Sequence, residues 1–159
     1  MKTININNYD SGNEVEKEAD NETEEILNLI DNDKYDVLID KNSKNIATIK
    51  NDMLQKLQLN KVQLKAMHKK LKDYQYVDEL PDIHVGHYVR WISLKNENNI
   101  RLTNGGIIVS TQITGKGVSV TIKNNINRII TVYIDNVLLF QKITPQEQII
   151  INIMDYLET

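Results

Sequence analysis

Asp82, His84 and His87 place one oxygen and two nitrogen donors within six residues, the ligand types that zinc and similar metals take. In an extended segment, however, residues 82 and 84 share a face while 87 points the other way, and Gly86 breaks the geometry further. The spacing therefore reads as surface or half-buried histidines rather than a metal centre. A calcium loop beginning at Asp31 and Asp33 fails on its ligands. Such a loop needs an oxygen donor at its fifth position, Gly at its sixth and Glu at its twelfth. The sequence has Tyr35, Asp36 and Asn42 there. Cysteine is absent, which excludes disulfides, thiolate nucleophiles and Cys-ligated zinc. No nucleophile elbow or phosphate-cradling glycine loop is present. The glycines of Asn104-Gly105-Gly106 belong to a turn or bulge where positive φ is needed. The expectation is a non-enzymatic protein without cofactor, metal or small-molecule substrate.

Binding chemistry is better represented. Tyr88, Arg90 and Trp91 lie together, with Arg101 ten residues beyond Trp91. Tyr, Trp and Arg are the residue types that dominate interface hot spots. A single Trp in a small β domain is also what a core uses, so Trp91 has a competing structural reading. The second set is a lysine series, Lys56, Lys61, Lys65, Lys69, Lys70 and Lys72, suited to phosphate contacts. Lysine without Arg argues against bidentate reading of bases, and no aromatics interleave the lysines for stacking. A solvated helix face is the plainer reading of the same residues.

Charge is unevenly distributed. Residues 1–40 hold 3 Lys against 12 Asp/Glu, a balance of −9, and residues 41–75 hold 9 Lys against 2 Asp, a balance of +7. The remainder is nearly neutral, and the whole chain carries −3. An acidic arm thus precedes a basic helical region and competes for the same surface as an anionic partner. Residues 1–21 have too little apolar content to offset the entropy of ordering and read as a disordered arm.

The elements that must position these residues follow from periodicity. Residues 22–79 read as a helical, Lys-rich region: a short helix over 21–30, a strand over Lys34–Asp40, and Asn45–Lys50 as its hairpin partner or the start of a helix. Met53, Leu54 and Leu57 give a helix over 51–58. Asn60, with Gln63 three residues on, is a capping pattern that starts a second helix over 61–74, with Leu64, Met67, Leu71 and Tyr74 as its apolar stripe. One long helix with Asn60 in a coiled-coil seam is the rival. Leu80-Pro81 ends the helical part.

Residues 80–159 read as a β domain with strands at 86–94, 107–113, 118–123, 128–134 and 137–142. Ile107, Val109 and Ile113 are expected on one face, and Asp135-Asn136 as a two-residue hairpin loop. Thr144-Pro145-Gln146-Glu147 is a capping box that opens a final helix with Ile150, Ile153, Met154 and Leu157 inward. Five short strands are few for a sandwich. The fold class expected is α+β, with N-terminal helices followed by a five-stranded antiparallel SH3-like barrel or partly open roll, one end plugged by the C-terminal helix.

The strings Asp73-Tyr74-Gln75-Tyr76-Val77-Asp78-Glu79-Leu80, Gly86-His87-Tyr88-Val89-Arg90-Trp91-Ile92, Leu102-Thr103-Asn104-Gly105-Gly106 and Phe140-Gln141-Lys142-Ile143-Thr144 resemble a family of small proteins from giant nucleocytoplasmic DNA viruses of the Mimivirus kind. The resemblance spans residues 50–157, leaves the acidic arm unmatched and brings no catalytic residues. It implies expression in the cytoplasm of an infected host and packaging in the virion.

No apolar run reaches the roughly 18 residues a membrane helix needs, and Met1–Asp10 lacks the basic-then-apolar order of a signal peptide, so a cytoplasmic address is expected. The functional expectation is a binding or adaptor module that meets a protein or nucleic-acid partner through the barrel edge at Tyr88, Arg90, Trp91 and Arg101. A protein partner or homo-oligomer is expected, and no membrane. The rivals are nucleic-acid binding by the lysine face of residues 56–72 and a structural virion component.

Overall fold

The computed structural model describes residues 41–158, an α+β arrangement of three helices and an open, six-stranded antiparallel sheet. The readings made for residues 1–40 (acidic arm, short helix, strand 34–40, calcium loop) lie outside the described residues. The first helix, α1, spans Ser43–Gln55, so Asn45–Lys50 is helical rather than a hairpin strand and the helix expected at 51–58 starts earlier. Asn42 caps it, its side chain accepting from Asn45 N–H at 2.8 Å. The second helix, α2, spans Lys61–Lys70, with Asn60 accepting from Gln63 N–H at 2.8 Å. α1 has already ended at Gln55, the chain turns through Gln58 at φ +53°, and Asn60 starts α2, which removes the rival of one long helix.

α2 stops four residues short of the expected end because Tyr74–Val77 is a strand, β1. Leu71 and Tyr74 are three apart, a helical spacing, and only pairing with a distant strand takes Tyr74 out of the helix. That partner is β6, Val137–Lys142, with Tyr74 opposite Lys142 and Val77 opposite Leu139. The remaining strands are β2 (Tyr88–Ser93), β3 (Gly106–Thr114), β4 (Gly117–Lys123) and β5 (Ile129–Tyr133). The sheet order is β1-β6-β2-β3-β4-β5, giving six strands in place of five.

Two further expectations are corrected. Asp135-Asn136 does not join paired strands: Ile134–Asn136 forms a 3₁₀ turn that carries the chain from β5 to β6, and β6 inserts between β1 and β2. Ile107, Val109 and Ile113 do not share a face, because the β3–β4 register shifts between Ile108 and Ser110. The extra residue reverses alternation, so Ile108 is the buried member and Ile113 pairs with Val118 on the opposite face from Ile107.

The sheet has two apolar faces. One carries Val77, Val89, Trp91, Ile108, Val120, Ile122, Val132, Val137 and Leu139, drawn from all six strands, together with Ile83. Among the described residues, none from a helix joins this cluster. Full burial of Val89, Val120, Ile122 and Leu139 therefore requires the sheet to curl over its own concave face. The other face, Tyr74, Ile92, Leu138 and Phe140, packs against Leu54 of α1 and Met67 and Leu71 at the end of α2. β6 is buried from Val137 to Gln141 because it serves both cores.

The last helix, α3, spans Pro145–Leu157 and carries the complete capping box: Thr144 Oγ1 accepts from Glu147 N–H at 3.2 Å, and Glu147 Oε1 accepts from Thr144 N–H at 3.0 Å. Its buried residues are Glu147, Ile150 and Ile151. Ile153 and Met154 are only half-buried and Leu157 is exposed, so the inward stripe is rotated from the expected one. The distal end of α3 ties to α1, Asp155 accepting from Ser43 N–H at 2.8 Å and Glu158 from the Asn42 side chain. No described helix is long and apolar enough to cross a membrane.

Candidate functional site

α2 turns one face inward through Leu64, Met67 and Leu71. At about 100° per residue, Lys61, Lys65 and Lys69 then align in a strip beside that buried stripe, successive lysines about 6 Å apart along the axis. Lys72 follows directly after the Leu71 cap, Lys70 lies on the other flank, and Lys56 sits in the turn that ends α1. All six side chains are exposed. The helix carries no acidic residue. The ion pairs among the described residues are Lys41–Asp82 and His87–Glu147, and neither touches the strip. His68, Lys69 and Lys70 lie in the last turn, where the helix dipole favours cations, so part of the strip's positive charge is structurally favourable.

One lysine of the basic 41–75 region, on α1, turns inward. Lys50 is buried, and its Nζ donates to Leu71 O at 2.9 Å, Tyr74 O at 3.1 Å and Lys72 O at 3.4 Å. These carbonyls belong to the turn between α2 and β1, so the ammonium fixes the angle at which the lysine strip leaves the sheet. Burial pushes the Lys50 amine below its ordinary pKa, with Asp73 opposing the shift.

The structure brings Tyr88 and Arg90 to one face of β2 and commits them to the chain itself. Tyr88 Oη donates to Asn104 O at 2.6 Å, and Arg90 Nε donates to Thr103 O at 2.8 Å. Trp91 points to the opposite face and is buried in the concave core. Its backbone N–H donates to Thr103 Oγ1 at 3.1 Å, and its carbonyl accepts from Thr103 N–H at 3.0 Å. Gly105 makes this close approach possible: it sits at φ +81°, and a Cβ there would lie 2.0 Å from Val89 O. The cluster that suggested a hot spot therefore pins the 102–106 segment to β2. Arg101 is exposed, just before the pinned segment.

His87 is buried rather than superficial, with Nε2 donating to Glu147 Oε1 at 3.0 Å. Burial alone would raise the Glu147 carboxyl. Hydrogen bonds from His87 and the Thr144 backbone, with the His87 charge, outweigh it and hold the group below its ordinary value. Gln141 is wholly buried nearby, accepting from His84 N–H at 3.0 Å and donating to Asp82 O at 3.1 Å. Asp82 pairs with Lys41 at 3.7 Å, and the His84 and His87 rings lie 5.2 Å apart. Among the described residues no group of three or more His, Asp or Glu side chains is placed to hold a metal. The polar cluster joins α3, β6 and the start of β2. Glu147 was legible in sequence as the third residue of the capping box, but its long-range partner His87 was not.

Surface clefts adjoin these elements, among them one lined by Lys50 and Lys72. A second, of about 190 Å³, is lined by Trp91, Lys95, Thr131, Tyr133 and Asn136 among others, where β5 crosses to β6. Another of about 290 Å³ lies between the α1–α2 turn and the 97–100 loop, bounded by Gln58, Gln63, Glu97, Asn98 and Asn99.

Comparison with known protein families, characterised proteins and solved structures finds no match to this chain.

Proposed function

We propose that the protein is a non-enzymatic binding module whose contact face is the lysine strip of α2, and that its partner is a nucleic-acid phosphate backbone. The observation that carries this reading is the alignment of exposed Lys61, Lys65 and Lys69 on a helix with no acidic residue, flanked by Lys56, Lys70 and Lys72 and with no ion-pair partner among the described residues. A short basic helix of this kind gains by neutralising phosphates and releasing their counterions. Lysine serves as a point charge, so the binding is insensitive to base sequence. The Tyr88/Arg90 edge is a weaker contact surface than its composition suggests, since both polar groups already hold the 103–104 backbone.

The sheet supports reading residues 88–142 as SH3-like. β2 to β5 are a meander, a 3₁₀ turn follows β5, and β6 returns beside β2. On this reading the curled sheet is the rigid platform, and Lys50 fixes the basic helix to it.

Fluorescence anisotropy of a labelled duplex titrated with the full chain tests the function. Binding is expected at low salt, with log affinity falling against log salt at a slope of about −3.5 to −5.5, as neutralising about four to six phosphates requires. Absence of binding at low salt would remove the proposal.

A further inference from the structure

We infer that β5 is a dimerisation edge that pairs with β5 of a second copy across a two-fold axis centred on Thr131. The two edges of the sheet are treated differently. β1 is only four residues long, α1 packs against it, and its Tyr74 carbonyl already accepts from Lys50 Nζ at 3.1 Å. Those are the devices that stop an edge strand from recruiting another chain. β5, Ile129-Ile130-Thr131-Val132-Tyr133, has neither charge nor proline, keeps unbroken register with β4 from Ile129 to Tyr133, and pairs with no other strand among the described residues. Its free side presents a row of backbone donors and acceptors, with Ile129 60% exposed and Thr131 exposed.

The occupant follows from self-complementarity. Antiparallel pairing that uses all five residues sets Thr131 against Thr131, Ile130 against Val132 and Ile129 against Tyr133. Every pair then joins β-favouring side chains of matching character. Thr131 already lies beside Thr121 of β4, with the hydroxyl oxygens 3.5 Å apart, so the pairing extends a threonine row across the axis. The charges flanking the strand are of opposite sign: Arg128 precedes it and Asp135 follows it. Two-fold antiparallel pairing carries Arg128 of each copy to the Asp135 end of the other, where a parallel arrangement would oppose like charges. Five residues per copy bury less than the roughly 800 Å² per partner of a stable interface, so the dimer is concentration-dependent and of micromolar order. This inference is independent of the lysine strip.

Because the chain lacks cysteine, Thr131→Cys introduces a unique thiol. Directly opposed residues in an antiparallel pair have Cβ atoms about 4.5–5.5 Å apart, close to what a disulfide spans. Mild oxidation of the full-length variant is expected to give a covalent dimer, while Gln112→Cys on β3 stays monomeric. Sedimentation of the wild-type chain is expected to show a monomer–dimer equilibrium that Thr131→Lys shifts at least tenfold toward monomer. Arg128→Asp and Asp135→Arg should each weaken the dimer, and the double exchange should restore it. Three results would each overturn the inference: a wild-type chain monomeric at several hundred micromolar, a dimer indifferent to the charge exchange, or a Gln112→Cys variant that crosslinks as readily as Thr131→Cys.

Discussion

His87 Nε2 lies 3.0 Å from Glu147 Oε1 in a buried contact that ties the start of β2 to the first turn of α3, sixty residues later in the chain. The same carboxylate oxygen accepts from Thr144 N–H, so one atom both caps the helix and docks it.

The Glu147 carboxyl is held below its ordinary value of 4.5, so its contribution to stability is fully present above that pH and is lost as pH falls through the lower folded value. Thermal melts from pH 7 to pH 2 should show a steep acid limb in the wild type and a shallower one in Glu147→Gln. Glu147→Ala should cost about 2–4 kcal/mol at pH 7, combining a lost cap with a buried histidine deprived of its partner. An acid limb identical in wild type and Glu147→Gln would show that the pair is not coupled to folding.

Lys50 offers its three ammonium hydrogens to three carbonyls of the α2–β1 turn. Lys50→Met keeps the stem and strands those acceptors, and should destabilise the fold by about 2–3 kcal/mol. Since burial lowers the folded-state pKa, the charged lysine costs stability below that pKa, and this cost is relieved as pH rises toward 10.5. Chemical denaturation at pH 7 and pH 10 measures both effects. A Lys50→Met variant as stable as wild type would contradict this account of the turn.

Arg90 and Gly105 together hold the 102–106 segment on β2. Arg90→Ala should lower stability by about 1–2 kcal/mol through one lost hydrogen bond and its packed stem. Gly105→Ala should cost about 3 kcal/mol or more, because the positive φ and the contact with Val89 O both resist a methyl group. If Arg90→Ala melts with wild type and instead abolishes capture of a protein partner, Arg90 is a contact residue and not a fastener.

Local signals carried much of the fold. Asn60 with Gln63, and Thr144-Pro145 with Glu147, are caps whose chemistry lies within four residues; the second forms in full, and in the first Asn60 accepts from Gln63 N–H. Val118, Val120 and Ile122 alternate without interruption and give β4 directly. What sequence left open depends on distant pairing. Tyr74–Val77 fits a helix as well as a strand until β6 lies alongside it, and the crossover after Ile134 is invisible in a string that also suits a hairpin. The bulge near Val109 reverses a face through one unpaired residue. For the site, the lysine spacing was readable, but the burial of Lys50 against the α2–β1 turn and the internal use of Tyr88 and Arg90 emerge only in three dimensions.

The lysine strip is tested most directly by backbone amide and Trp91 indole NMR shifts of the full chain as a short DNA duplex is added at low salt. The account predicts perturbations centred on residues 56–72, little change at Trp91, and their loss in a Lys61→Gln/Lys65→Gln/Lys69→Gln variant that melts like wild type. Shifts centred instead on Trp91, Lys95 and Tyr133, or no shifts at all, would contradict it.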